Sequence, residues 1–313
     1  MSAENDVLVL GGAGVDTVVH VPELPLPFAD SYLIRPGITT RAGQTGDFLA
    51  LGLHALGLRV HHLDLLGDDP EGTLVRALHA EHGIPLTAIP QPAGTKRAVN
   101  LVDPLGRRLS LYDDTRAAPE DRLPEPVVRE LARASRHTHV SISHPCAFAL
   151  PLLREVGVTL STDLHDWDGV NPYHEPFAHA ADVVFVSAAR LTDPEAVLRR
   201  VAERGRASVL VATAGADGAH LLADGELHHI PTVTPPAPVV DSNGAGDAFA
   251  AAFLFAWLAG EPALRAAHFG AVAGAHACTV PATTHAPITR EQLLERAGDD
   301  RTGTTARGHE KEE

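Results

Sequence analysis

Cysteine is nearly absent from this chain of 313 residues. Only Cys146 and Cys278 occur, and neither forms a CxxC or Cys/His spacing. That excludes a cysteine-built metal site and points to a reducing, cytoplasmic setting. No apolar run approaches the ~18 residues that a membrane-spanning helix needs. The opening MSAENDVLVLGGAGV is acidic before a short apolar run, the opposite of a signal peptide. Basic residues are also scarce, with 25 Lys and Arg against 40 Asp and Glu and a formal charge of -15. Such a chain repels phosphate backbones and anionic lipid, so neither nucleic acid nor membrane is expected as a partner, and small molecules are. No G-x-x-x-x-G-K-S/T stretch is present, which excludes an ordinary P-loop. If a protein this acidic binds a phosphorylated ligand, it must neutralise it locally, with backbone N–H groups, a divalent metal or a few placed cations.

What is present is 44% hydrophobic residues, enough to bury a core. Val7–Leu10 reads as a buried strand ending in Gly11-Gly12, and further strands at 60–66, 138–143, 158–162, 183–187 and 208–212 alternate with helical stretches. The helices are expected at 46–57, 70–82, 125–135, 194–204, 245–259 and 262–279. That alternation predicts an α/β fold around a mostly parallel sheet. Two segments, about 17–41 and 95–114, break the rhythm with extended, proline-rich or hairpin patterns and are expected to form a small β lid. The domain is expected to span 1–298. From Gly298 the sequence turns polar and aperiodic, so 299–313 is expected to be a disordered tail. The 19 histidines are scattered, and the pairs His61-His62 and His228-His229 fall on strand segments where neighbours face opposite ways. They are read as structural or surface residues.

The stretch Val239-Val240-Asp241-Ser242-Asn243-Gly244-Ala245-Gly246-Asp247-Ala248-Phe249 carries the chemistry. It is a loop feeding a helix. Glycines around an alanine let successive amides turn toward one point at a helix N-terminus, which favours an anion. Asp247, in the first turn, is held where it can accept the proton of an attacking alcohol. Asp241, where the loop begins, is placed for a cation or for orienting the loop. Ordinary capping by Asn243 is the plain alternative.

This segment resembles the D-T-x-G-A-G-D signature of the ribokinase-like (PfkB) carbohydrate kinases, with Ser242 in place of threonine. The resemblance extends from residue 5 to about 285 and implies a three-layer α/β/α ribokinase-like fold with a β lid. It implies ATP and Mg2+ as cofactors, Asp247 as catalytic base, and Gly244, Ala245 and Gly246 as an anion hole. It also places Asp241 near a monovalent-cation site, K+ being the natural occupant. Gly11-Gly12-Ala13-Gly14-Val15-Asp16 looks like the family's first-strand motif, whose aspartate binds substrate hydroxyls, here Asp16. A Rossmann turn starting at Gly12 fails, because Thr17 stands at the third glycine position and no helix follows.

Ala42-Gly43-Gln44-Thr45-Gly46-Asp47 resembles the second glycine motif, usually Gly-Gly-x-x-x-Asn, and adds Gly43 and Asp47 to the expected substrate contacts. It departs at Ala42 and at Asp47, a carboxylate that only accepts hydrogen bonds. The Gly67-Asp68-Asp69 stretch is read as structural. Thr213-Ala214-Gly215-Ala216-Asp217-Gly218 looks like the nucleotide segment T-x-G-x-x-G, at the carboxyl end of a strand. The family's Asn-x-x-Glu is replaced by Ser187 and Arg190, a serine that is also similar to the ketohexokinase branch. Both positions are assigned to the nucleotide, with Arg190 either on phosphate or in solvent. The resemblance therefore implies phosphorylation of a sugar-like hydroxyl, and a homodimer through the lid. A nucleoside kinase of the same fold is the first alternative, opposed by an aromatic content of 4%. The second is a ligand-binding regulator with weakened chemistry.

Overall fold

The computed structural model describes residues 3–281 and 285–299. Strand β1 (Asn5–Leu10) sits at the centre because both its faces are apolar. Val7 and Val9 enter one core cluster, and Leu8 and Leu10 enter the other. Around it lie β4 (Val60–Leu66), β5 (Leu86–Pro90), β8 (Ser135–Val140), β9 (Thr159–Asp163), β10 (Val183–Ser187), β11 (Val209–Thr213), β12 (Ala219–Ala223) and β13 (Glu226–Ile230). The nine strands run in the order β13-β12-β11-β10-β9-β8-β1-β4-β5. Seven are parallel, and only the β12 and β13 edge is antiparallel. Their turn, Asp224-Gly225, has positive φ at both residues, the twist that a two-residue hairpin loop demands.

Helices cover both faces. One face carries α1 (Thr45–Ala55), α2 (Pro70–His82), α8 (Ala245–Leu258), α9 (Ala263–Ala277) and α10 (Arg290–Asp299). The other carries α3 (Glu125–Arg133), α4 (His144–Ala147), α5 (Leu150–Val156), α6 (Glu175–Ala180) and α7 (Pro194–Arg204). Helix α8 is apolar nearly all round, as a helix enclosed by α1, α9 and the sheet must be. Each fully buried Leu or Phe, such as Leu49, Leu53 and Phe253, stabilises the fold by ~1.5–3 kcal/mol. The three-layer α/β/α expectation therefore holds.

A second, four-stranded sheet forms the lid, in the order β3-β2-β6-β7. It comprises β2 (Val15–His20), β3 (Thr39–Ala42), β6 (Arg97–Val102) and β7 (Arg108–Tyr112). Its strands fall in the two segments that broke the helical rhythm. Helices 70–82 and 194–204 and strands 60–66 and 183–187 have the expected limits. Strand β8 starts three residues early and stops at Val140, because Ser141 turns out of the sheet after its amide bonds the Leu10 carbonyl at 2.9 Å. Helix α10 was not anticipated, and it takes in Gly298 and Asp299, where the tail was expected to begin. Residues 300–313 of that tail lie outside the described residues.

Candidate active site

Strand β1 has β4 on one side and β8 on the other, so the chain leaves their carboxyl ends in opposite directions and opens a crevice there. The first glycine loop lines it. Gly11 and Gly12 have φ of +81° and +78°, and a Cβ on Gly12 would lie 2.5 Å from both the Gly46 nitrogen and Ser141 Oγ. A Cβ on Gly46 would in turn collide with the Gly11 carbonyl. The two glycine motifs therefore interlock, with the Gly46 amide donating to the Gly12 carbonyl at 2.9 Å. Asp64 holds the loop from below. It accepts the Ala13 amide at 2.8 Å and pairs with Lys96 Nζ at 3.0 Å.

This clamp presents Asp16 from β2, 7% exposed. Burial raises its pKa, while Arg41, Arg108, Gln44 and Asn100 pull it back down. Arg41 stands opposite Asp16 across the β2–β3 pairing. Its guanidinium is enclosed, lies 4.6 Å over the Phe48 ring, and none of its three nitrogens has a hydrogen-bond partner. Burial lowers the Arg41 pKa, and the nearby carboxylates of Asp16, Asp241 and Asp247 do not cancel that effect. Arg108, from β7, reaches across the crevice and donates to Asn243 Oδ1 at 2.6 Å.

The far wall is the start of α8. Gly244 precedes it with φ of +81°, and Asp241 Oδ1 accepts the Asn243 amide at 2.9 Å, so this loop is fixed by its own residues. The Ala245 amide leans on the Ser242 carbonyl at 3.2 Å. The Gly246 amide lies in the first turn, where a helix supplies no acceptor. Asp247 is half-buried there. Its pKa is raised well above its ordinary value, first by desolvation and then by the charge of Asp163. Asp163 ends β9, and its Oδ2 sits 4.0 Å from where a Cβ on Gly246 would be. Lid cations therefore face scaffold carboxylates across one crevice.

Other expected residues are placed less uniformly. Asp47 was expected to touch substrate, but it is fully buried, its Oδ2 accepting the Gly14 and Gln44 amides at 3.1 and 3.2 Å and its Oδ1 bonded to His79. That assignment is corrected: no oxygen of Asp47 reaches the crevice. Gly43 has φ of +129°, and a side chain there would crowd Arg41, Phe48 and His285. Arg190 is exposed and faces Asp166 at 3.6 Å, and Ser187 caps its own short turn. Ser187 and Thr213 are register partners at the strand ends, followed by Gly215 (φ +57°) and Gly218 (φ +85°). A Cβ on Gly218 would strike the Ile230 carbonyl, so packing alone requires glycine there. Asp69 is a structural hub, its pKa about 2 because hydrogen bonds from Thr95 and Gly72 overcome desolvation. The sequence reading missed Arg41, Arg108 and Asp163. None of the three carried a strong local signal; Asp163 is the acid that ends strand Thr159–Asp163, in which only Leu160 is hydrophobic.

Known proteins resemble this arrangement along most of the chain. Residues 46–290 match the profile described as pfkB family carbohydrate kinase. The acarbose 7(IV)-phosphotransferase of an Actinoplanes species is 57% identical over 296 residues, covering 94% of this chain and 99% of that protein. The ATP-dependent ribose-1-phosphate kinase of Halopiger xanaduensis is 30% identical over 283 residues, 86% and 90% of the two chains. Among solved structures, a microbiome-derived acarbose kinase superposes with a TM-score of 0.87 at 44% identity, covering 95% of this chain and 100% of the other.

Proposed function

The chain belongs to the pfkB family of carbohydrate kinases, and from that premise we propose that it transfers the γ-phosphoryl group of MgATP to a hydroxyl of acarbose or a close analogue. The observation that carries the chemistry is the Asp247 carboxylate at the N-terminus of α8, opposite Asp16 and two lid guanidiniums. Asp16 accepts hydrogen bonds from acceptor hydroxyls and turns one of them toward Asp247. Asp247 takes the proton as the oxygen attacks phosphorus, and desolvation and Asp163 have already raised its proton affinity for that task. The Gly244 and Gly246 amides would face the transferred group, joined by the Ala245 amide once it leaves the Ser242 carbonyl, and Arg41 and Arg108 would neutralise charge that the backbone cannot.

Asp163 would help to hold the Mg2+ of the nucleotide, which would supply charge neutralisation at the phosphates; its Oδ1 accepts the His165 amide at 2.8 Å, which leaves Oδ2 as the hard oxygen for the metal. The nucleotide lies along the strand ends at Ser187 and Thr213 and the turn at Gly215 and Gly218. Arg190 is assigned to solvent and Asp47 to the loop beneath the substrate. A monovalent cation such as K+ belongs beside Asp241. The lid residues Leu109, Leu111 and Tyr112 are exposed, a surface that a second copy of the chain would cover. Among the described residues no helix is long and apolar enough to cross a membrane.

ADP release measured across acarbose, ribose, fructose, ribose 1-phosphate and inosine tests the assignment. Acarbose should give the highest kcat/KM, with 31P–1H correlation locating the new ester. A preference for inosine or ribose 1-phosphate would overturn it, and binding without ADP release would indicate a regulator.

A further inference from the structure

Beneath the glycine loop, side chains from three elements meet in the core: Asp47 of α1, His62 of β4 and His79 of α2, exposed 0%, 0% and 2%. Asp47 Oδ1 is 2.8 Å from His79 Nε2 and 3.5 Å from His62 Nδ1, and the two ring nitrogens are 3.2 Å apart. His62 Nε2 lies 2.9 Å from the Gly11 carbonyl, which aims its Nδ1 at the carboxylate. His79 Nε2 faces the same oxygen, and its Nδ1 has no partner. Three possible ligand atoms, one from each side chain, thus converge on one point. Among the described residues Asp47 has no Lys or Arg within ion-pairing distance, only these histidines. A buried carboxylate in that position is ordinarily paired or bound to a metal.

We propose that Asp47, His62 and His79 form a structural zinc site. Tetrahedral ligands at ~2.0–2.1 Å from Zn2+ are ~3.3 Å apart, and the separations here, 2.8, 3.2 and 3.5 Å, bracket that value. Imidazole and carboxylate suit Zn2+, and the His62–Gly11 bond is the outer contact that fixes the tautomer of a metal-bound histidine. The three side chains would fill three of the four tetrahedral positions and a buried water the fourth, and enclosure on all sides would make the ion a brace, not a catalyst. Through the Gly14 amide on Asp47 and the Gly11 carbonyl on His62, it would hold both ends of the loop that presents Asp16. Stripping the metal would therefore raise KM for the acceptor more than it lowers kcat.

Elemental analysis of the full chain, purified without a histidine tag or chelator, should find about one zinc per chain, as a closed structural site requires. After chelation, Co2+ should restore the visible bands of tetrahedral cobalt, and Zn2+ should raise the thermal midpoint. His79→Gln, with an unchanged circular dichroism spectrum, should lose all three signals. A wild type with no stoichiometric zinc, no cobalt bands and no midpoint shift would overturn the proposal and leave a hydrogen-bonded Asp–His–His relay. Full zinc in His79→Gln would overturn it equally. Should that variant fail to fold, the cobalt titration of the wild type decides alone. Metal content is read without any substrate, so this outcome is independent of the acarbose assignment.

Discussion

Replacing Arg41 by methionine should move activity and stability in opposite directions. Arg41 is 6% exposed, and none of its guanidinium nitrogens has a hydrogen-bond partner. Burial lowers its pKa despite three nearby carboxylates, so in the substrate-free protein the charge is net unfavourable. An unsatisfied buried donor costs ~1–3 kcal/mol, more when charged. Methionine fills similar space and keeps contact with Phe48, while the cation–π attraction it removes is worth ~0.5–2 kcal/mol. The expected balance is a gain of ~1 kcal/mol in stability. With substrates bound, Arg41 meets the transferred phosphoryl group, and a charge-assisted hydrogen bond of ~1.5–3 kcal/mol is lost. That corresponds to a fall of about 10- to 150-fold in kcat/KM. Urea titrations and coupled ADP-release kinetics on one protein preparation read both quantities. A methionine variant that is less stable and equally active would show that Arg41 is a structural cation held by Asp16, and the phosphate role would be discarded.

Asp247→Asn should lower turnover by about 10²- to 10⁴-fold with an unchanged circular dichroism spectrum, and near wild-type turnover would remove Asp247 as the base. Gly12→Ala places a methyl group 2.5 Å from Gly46 N and Ser141 Oγ at a φ of +78°, so stability should fall by at least ~1 kcal/mol. The acceptor KM should rise with it, since the loop carries Asp16; a variant normal in both would show the interlock to be dispensable. His137 is buried between Thr159 and Ser161 with its pKa lowered to about 3 by desolvation. The unfolded chain takes up this proton first, so its contribution is intact above the unfolded pKa of ~6.5 and declines as pH falls, by ~2 kcal/mol at about pH 5. His137→Asn should reduce the loss of unfolding free energy between about pH 7.5 and 5 by that amount, and an unchanged slope would refute the assignment.

The parts legible in the sequence are those with local causes. Buried strands such as Val183–Ser187 and the capped helix after Asp69 announce themselves through apolar runs, β-branching and an N-cap followed by proline. The Gly244 to Asp247 turn was equally plain, because positive φ and exposed first-turn amides leave few residue choices. Arg41 and Arg108 were not legible as a pair, since 67 residues of chain separate them and only the lid sheet brings both to the crevice. Asp47 was misread for a related reason. Its place in the motif pointed to substrate, but it bonds inward to His62 and His79, and those partners lie on two other elements. Helix α10 escaped because a short polar helix is held mainly by Leu293 and Ala297 against the core.

The division of charge between lid and scaffold follows from the composition. The scaffold side of the crevice offers Asp163, Asp241 and Asp247, in keeping with a chain of charge -15. Those groups suit a proton and metal ions, yet they repel the oxygens of a triphosphate. The compensating Arg41 and Arg108 are carried by β3 and β7, with Arg108 already bonded to the loop that precedes α8. On the proposed reading, neutralising the phosphoryl group would draw on both lid guanidiniums as well as the scaffold, so ADP release without an acceptor is expected to be slow, and release at the same rate with and without acceptor would refute that coupling.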